Sequence, residues 1–222
     1  MLVLRDYQEE LVARTLGAWS NGTRKVLLQL STGGGKTVIF AAIASQFVRH
    51  QEGVLVIAHR EELILQAASK LESVTQQAPG IIKAGYKPTD SLIQVGSIQT
   101  LARRKNYPAA GLIIIDEAHH ASANSYRKLI EAYPNALILG VTATPRREDG
   151  YGLRDVFDEL ICSISTKELI ALGYLTDYKL IAGFKYSKHK VPRQRDFTKK
   201  ELAEVAQDYK PEEVLKQWNN FG

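Results

Sequence analysis

The stretch Ser31-Thr32-Gly33-Gly34-Gly35-Lys36-Thr37 gathers three adjacent glycines, a lysine and three hydroxyl side chains. Glycines let successive backbone N–H groups turn inward around phosphate oxygens, and a helix starting beside them adds free N–H donors and a positive dipole end. A lysine there neutralises the β- and γ-phosphates, and the threonine hydroxyl is a hard ligand for Mg²⁺. The strict pattern G-x-x-x-x-G-K-[ST] asks for a glycine where this chain has Leu30. Read as the last residue of a strand, Leu30 takes an ordinary negative φ and needs no glycine. The plain alternative is a glycine-rich turn capped by Thr37 or Ser31.

The second chemical feature is "GLIIIDEAHHAS", which sets Asp116 and Glu117 directly after four apolar residues. A buried strand delivering a carboxylate at its C-terminal end has the geometry of a Walker B site. Asp116 is then the Mg²⁺ ligand, commonly through water, and Glu117 the group that orients and deprotonates an attacking water. Two surface acids are the alternative, and the preceding apolar run argues against it. His119 and His120 follow, but no Cys/His set with zinc-ligand spacing accompanies them.

These residues need elements to position them. Apolar, β-branched runs predict strands at 26–30, 54–58, 81–84, 92–95, 112–115, 136–140, 161–164 and 178–181. Helical spacing predicts helices at 6–20, 36–50, 61–74, 125–132 and 166–172. Strands apolar along their whole length, alternating with helices, predict an α/β fold: an open, mostly parallel twisted sheet with helices on both faces. Ligands in such sheets sit at the carboxyl ends of the strands, which directs attention to the loops after Leu30, Ala58, Ile115 and Gly140.

Five segments occur in a particular order: Leu4-Arg5-Asp6-Tyr7-Gln8, STGGGKT, Ala58-His59-Arg60-Glu61-Glu62-Leu63 with Gln66, DEAHH, and Val141-Thr142-Ala143-Thr144-Pro145. Together they resemble the N-terminal, RecA-like motor domain of superfamily 2 helicases of the DEAD/DEAH type, with DNA repair, phage and restriction helicases the most similar group. The likeness runs from about Leu4 to Ile181. It implies an ATP-dependent helicase or translocase that hydrolyses ATP with Mg²⁺. Residues 1–183 are expected to form the ATP-binding domain, and 184–222 a linker and the approach to a second motor domain absent from this sequence.

The resemblance also implies roles. Gln8 matches an adenine-reading glutamine, with Tyr7 or Arg5 packing by the base; an amide can bond both a donor and an acceptor on adenine's edge. Ser31, Thr32, Gly33, Gly34, Gly35, Lys36 and Thr37 hold the phosphates and the ion. Arg60 and Gln66, and Gly96, Ser97 and Thr100, match loops lying along a nucleic-acid backbone, where small hydroxyls and free N–H groups grip phosphates without reading sequence. Ordinary caps and turns remain the alternative for each of these. Thr142 and Thr144, with His119 of DEAHH, match the motif coupling the ATP site to the nucleic-acid cleft. The family's second domain supplies arginines to the γ-phosphate, worth orders of magnitude in rate, so these residues alone are expected to bind nucleotide and turn it over poorly.

Composition sets outer bounds. Net charge is +5 and pI about 9.2, which permits a polyanionic partner. Seven Lys/Arg against one acid fall between residues 185 and 200; a solvated linker explains them equally well. No apolar run approaches a membrane span, and the N-terminal ten residues carry three acids and no signal-peptide core. Cys162 is alone, excluding an internal disulfide and suiting a reducing, cytoplasmic or nucleoid-associated setting; it reads as a core or strand residue. DNA is the expected nucleic acid over RNA, from the resemblance. A nucleotide-controlled binding module and the motor part of a restriction or repair complex remain alternatives; oligomeric state is not legible.

Overall fold

The computed structural model describes residues 3–58, 61–83, 85–87, 89–104, 106–145 and 153–178, the side chains of Glu61 and Glu62 excepted. The chain divides into two units, Met1–Thr176 and Asp177–Gly222; the elements below all belong to the first.

Seven parallel strands form one sheet: β1 (Lys25–Gln29), β2 (Val54–Ala58), β3 (Gly80–Ile82), β4 (Ile93–Ser97), β5 (Leu112–Asp116), β6 (Leu137–Thr142) and β7 (Glu159–Cys162). Their order across the sheet is β3-β4-β2-β5-β6-β1-β7. The helices are α1 (Asp6–Ser20), α2 (Lys36–Arg49), α3 (Glu61–Thr75), α4 (Ile98–Leu101), α5 (Asn124–Glu131) and α6 (Thr166–Ala171). The expected α/β class, parallel pairing and two-sided helix cover are all present.

Alternation along the strands builds two cores. In β5, Leu112 and Ile114 pack with α1, α2 and α3 on one face, while Ile113 and Ile115 pack with α4 and α5 on the other. All four are 0% exposed, and each contributes about 1.5–3 kcal/mol relative to exposure. That burial holds the strand firmly enough to end it on the carboxylate of Asp116.

The order of the strands then does the positioning. β6 lies between β5 and β1, with Asp116 opposite Val141 and Gln29 opposite Thr142. The carboxyl ends of β5, β6 and β1 therefore stand side by side, roughly 4.8 Å apart per strand. They carry Asp116, Thr142 and the glycine loop, residues 80 or more apart in sequence in two of the three pairings.

The structure departs from the sequence reading in several places. Ser97 ends β4 and immediately caps α4, accepting from the backbone N–H of Thr100, so the expected loop at 96–100 is a strand end and a helical turn. Cys162 does lie in a strand, but β7 is an edge strand with only Ile161 of its residues buried, so its thiol is exposed rather than in the core. The strand expected at 81–84 begins and ends earlier, at Gly80–Ile82. Of the strand expected at 178–181, Tyr178 is described and is not in a strand; the remainder lies outside the described residues, as does the 183/184 boundary.

Candidate nucleotide site

The glycine loop leaves β1 at Gln29 and enters α2 at Lys36. Leu30 donates its N–H to the carbonyl of Thr142 at 3.0 Å, extending the ladder by one residue. Gly33 and Gly35 have φ of 81° and 87°, values an L side chain resists. At Gly35 a Cβ would also run into the side-chain amide of Gln8. The loop can therefore adopt this shape only with glycines at these places. Lys36 and Thr37 open α2, where backbone N–H groups have no helical partner.

Gln8 and Tyr7 tie the first helix to this loop. The Tyr7 hydroxyl donates to the carbonyl of Gly34 at 2.7 Å, and Gln8 Nε2 lies 3.2 Å from the same oxygen. Gln8 Oε1 accepts from the N–H of Arg5 at 3.1 Å. Both residues are buried, at 5% and 4% exposure, whereas Arg5 is exposed. The amide expected to read a base edge is thus engaged by the loop itself.

At the end of β5, Glu117 takes a left-handed conformation, φ 51° and ψ 53°, costing about 1–2 kcal/mol for a residue other than glycine. Its N–H donates to Asp116 Oδ1 at 3.0 Å. The turn sends its carboxylate back toward the glycine loop, where Oε1 accepts from Lys36 Nζ at 3.0 Å. Burial, and the neighbouring charge of Glu117, hold the Asp116 carboxyl above its ordinary range; the N–H of Glu117 and the charge of Lys36 oppose this.

His119 connects the acids to β6. Its Nδ1 lies 3.1 Å from Thr142 Oγ1 and 3.3 Å from Glu117 Oε2. The single Thr142 hydroxyl proton goes to the carbonyl of Thr144 at 3.1 Å. A lone pair on Nδ1 would face both the Thr142 oxygen and the Glu117 carboxylate, so Nδ1 carries the hydrogen and donates to both. Thr142 Oγ1 also accepts from the Thr144 N–H at 3.2 Å. Thr144 enters this chain through its backbone, not its hydroxyl.

The sheet thus brings Arg5, Tyr7, Gln8, residues 31–37, Asp116, Glu117, His119, Thr142 and Thr144 into one site. It places Ser97 and Thr100 elsewhere, bonded to one another at 3.0 Å beyond β4. Gly96 is buried within β4 and Gln66 is exposed on α3. Arg60 lies outside the described residues.

Sequence reasoning missed the segment that straps the outer side of the loop. Ser165 and Glu168 form a capping box that starts α6. Thr166 Oγ1 then meets Ser31 Oγ at 2.7 Å. A Cβ on Gly33 would come within 2.8 Å of Leu175. The legible signal was Leu172-Gly173-Tyr174-Leu175: a glycine after a short helix, ending it and turning the next residues back.

A comparison with known families agrees with this geometry. The family described as type III restriction enzyme, res subunit, matches residues 1–147, well over half of the 222-residue chain. The chain belongs to the res-subunit family. Its fold is that of the N-terminal motor domain of superfamily 2 helicases. Among relatives of this res-subunit chain is IRC3 of Saccharomyces cerevisiae, which its name assigns to the ATP-dependent helicases. It is 34% identical over 196 residues, covering 80% of this chain and 28% of IRC3. The DNA 3'-5' translocase XPB2 of Sulfurisphaera tokodaii is 30% identical over 182 residues, covering 80% of this chain and 39% of its own. The res-subunit chain therefore spans well under half the length of these relatives. The crystal structure of the UvsW helicase from bacteriophage T4 shares the fold, with a TM-score of 0.62 at 21% identity over 72% of this chain and 60% of that one. No described helix is long and apolar enough to cross a membrane.

Proposed function

We propose that residues 1–183 are the ATP-binding domain of a nucleic-acid motor, an ATP-dependent helicase or translocase acting on DNA in preference to RNA. The observation that carries this reading is the 3.0 Å contact from Lys36 to Glu117. It places the cation of the glycine loop and the acid of the DEAH segment in one site, although 81 residues separate them in sequence. The names of IRC3 and XPB2, an ATP-dependent helicase and a DNA translocase, support the same class.

The residues present fit Mg²⁺-nucleotide. The backbone at Gly33 and Gly35 offers N–H groups rather than side chains to the phosphates, while the Gly34 N–H closes the turn on the Ser31 carbonyl at 2.9 Å. Thr37 and Asp116 would hold Mg²⁺, which takes few protein oxygens and keeps water and phosphate ligands. When bound, the ion would spread phosphate negative charge and so ease departure of the leaving phosphate. Lys36 exchanges Glu117 for phosphate oxygens when nucleotide enters. Released, Glu117 is free to orient water and to accept its proton as the water oxygen bonds to the γ-phosphorus and the bond to the β-phosphate oxygen breaks. His119, donating to both Glu117 and Thr142, carries the state of that carboxylate to β6.

Rapid turnover in this reading requires a second motor domain, whose arginines complete the γ-phosphate site. The test is ATP hydrolysis by the full-length protein with single-stranded DNA, duplex DNA and RNA in parallel. DNA-stimulated hydrolysis is expected. Hydrolysis indifferent to every nucleic acid would reject the motor reading, and stimulation by RNA alone would reject DNA.

A further inference from the structure

The group beside the glycine loop that presents a flat, exposed surface is Arg5, not Gln8. The Gln8 amide is buried and bonded at both ends. The Arg5 guanidinium carbon lies 4.4 Å above the centre of the Tyr174 ring. Its Nη1 is 3.4 Å from the Tyr7 hydroxyl, which itself donates to Gly34 of the loop. The rings of Tyr7 and Tyr174 lie 5.5 Å apart at 49°. A guanidinium on a flexible stem is ordinarily free to rotate; here it sits over an aromatic ring and donates to a phenol anchored to the glycine loop.

How Tyr174 reaches this place is clear from the backbone. Gly173, with φ 73°, ends α6. The N–H of Tyr174 then bonds Leu169 at 2.8 Å and that of Gly173 bonds Ile170 at 2.9 Å, the paired bonds of a Schellman cap. The cap reverses the chain and turns Tyr174 back over the N-terminal segment. The ring is half-buried, packed against the core cluster that includes Tyr7.

We propose that Tyr174 is a positioning residue that holds Arg5 flat as the stacking platform for the base of the bound nucleotide. This rests on the nucleotide-binding reading above. Planar guanidinium groups stack on aromatic faces, and a base presents a π-face of the same kind. With one Arg5 face on Tyr174, the opposite face is the one offered to the base. The triphosphate is held by the glycine loop and should be indifferent to Tyr174.

The test is equilibrium binding of ATP and of inorganic tripolyphosphate, each with Mg²⁺, to the 222-residue chain. The variants are Tyr174→Leu, which keeps apolar volume but has no π-face, Tyr174→Phe, Arg5→Ala and the Tyr174→Leu/Arg5→Ala double variant. Tyr174→Leu should weaken ATP about five- to tenfold, within the range for loss of stacking, and leave tripolyphosphate within about twofold. Tyr174→Phe should bind ATP as the parent does. The double variant should be no weaker than Arg5→Ala alone, because one residue acts through the other. Equal losses for ATP and tripolyphosphate would overturn the proposal by making Tyr174 a support of the loop. Unchanged ATP affinity, or additive losses in the double variant, would overturn it too. A parent chain that binds neither ligand would sink the nucleotide-binding reading itself, a result distinct from all of these.

Discussion

Lys36 Nζ and Glu117 Oε1 are 3.0 Å apart, with the side chains 14% and 30% exposed. In the proposed reading, the lysine meant for phosphate and the acid meant for water are bonded to each other. A partly exposed pair of this kind is worth about 1 kcal/mol or less, so nucleotide phosphates can displace it readily. Glu117→Gln removes the competing charge while keeping the shape. ATP should bind about two- to fivefold tighter, while turnover by the full-length protein falls by about a hundredfold or more. Titration of ATP and steady-state hydrolysis measure the two quantities; unchanged turnover would reject Glu117 as the base.

The His119–Thr142 contact makes a different prediction. His119→Ala removes the donor shared by Glu117 and Thr142 but touches neither the glycine loop nor Asp116 in the hydrogen-bond pattern. ATP affinity should stay within about twofold, whereas stimulation of hydrolysis by nucleic acid should fall about tenfold, the loss of one charge-assisted bond. The ratio of stimulated to unstimulated rates is the readout. Full retention of that ratio would show that coupling runs elsewhere.

The ionised Asp116 carboxylate costs the fold stability. Its carboxyl is held above the ordinary range by burial and by Glu117. For a group whose folded pKa is raised, the stability contribution is intact below the unfolded value of 3.8 and is lost as pH rises through the folded value. At neutral pH the full cost is present. Asp116→Asn removes the charge and can still accept the N–H of Glu117. The nucleotide-free variant should melt at a higher temperature than the parent at neutral pH, with the gap closing as pH falls through the carboxylate range. It should also lose the dependence of nucleotide binding on Mg²⁺. A lower melting temperature at neutral pH would contradict the assignment of the strain to this carboxylate.

Tyr126 lies beneath the same strand end, 2% exposed, in the core cluster with Ile113, Ile115 and Ala118. Its hydroxyl has no hydrogen-bond partner among the described residues. Burial, assisted by the charge of Asp116, pushes the phenol up to about 12, so it stays protonated at any working pH. An unsatisfied buried hydroxyl costs about 1–3 kcal/mol. Tyr126→Phe should therefore stabilise the domain by about 1 kcal/mol, or roughly 2–4 °C in Tm. Denaturant unfolding decides it, and a destabilised variant would reveal a bond to the hydroxyl that only the protein in solution forms.

The sheet, and the residue types at the carboxyl ends of its strands, are legible in the amino-acid sequence. Runs such as residues 54–58 and 112–115 are apolar at every position, which only a strand covered on both faces satisfies. Glycines at residues 33 and 35 before a lysine and an apolar helix specify the shape of this loop locally, because positive φ is a property of the residues and their neighbours. The place of Asp116 and Glu117 at the carboxyl end of a buried strand was legible from the apolar run before them.

What those groups bond to follows from the assembled fold. Gln8 looked available for a base, yet its amide is spent on Gly34 and Arg5, because α1 packs its buried face directly against the loop. The Ser97 hydroxyl, expected along a nucleic-acid backbone, bonds the first turn of α4 as its cap. Tyr174 carried no signal of its own, being one of 10 tyrosines, until the glycine after α6 folded it onto Arg5, 169 positions earlier. Local conformation follows from backbone sterics within a few residues, and that much a sequence displays. The contacts between distant side chains follow from strand order and from where each helix is capped, and these are settled only when the whole sheet is assembled.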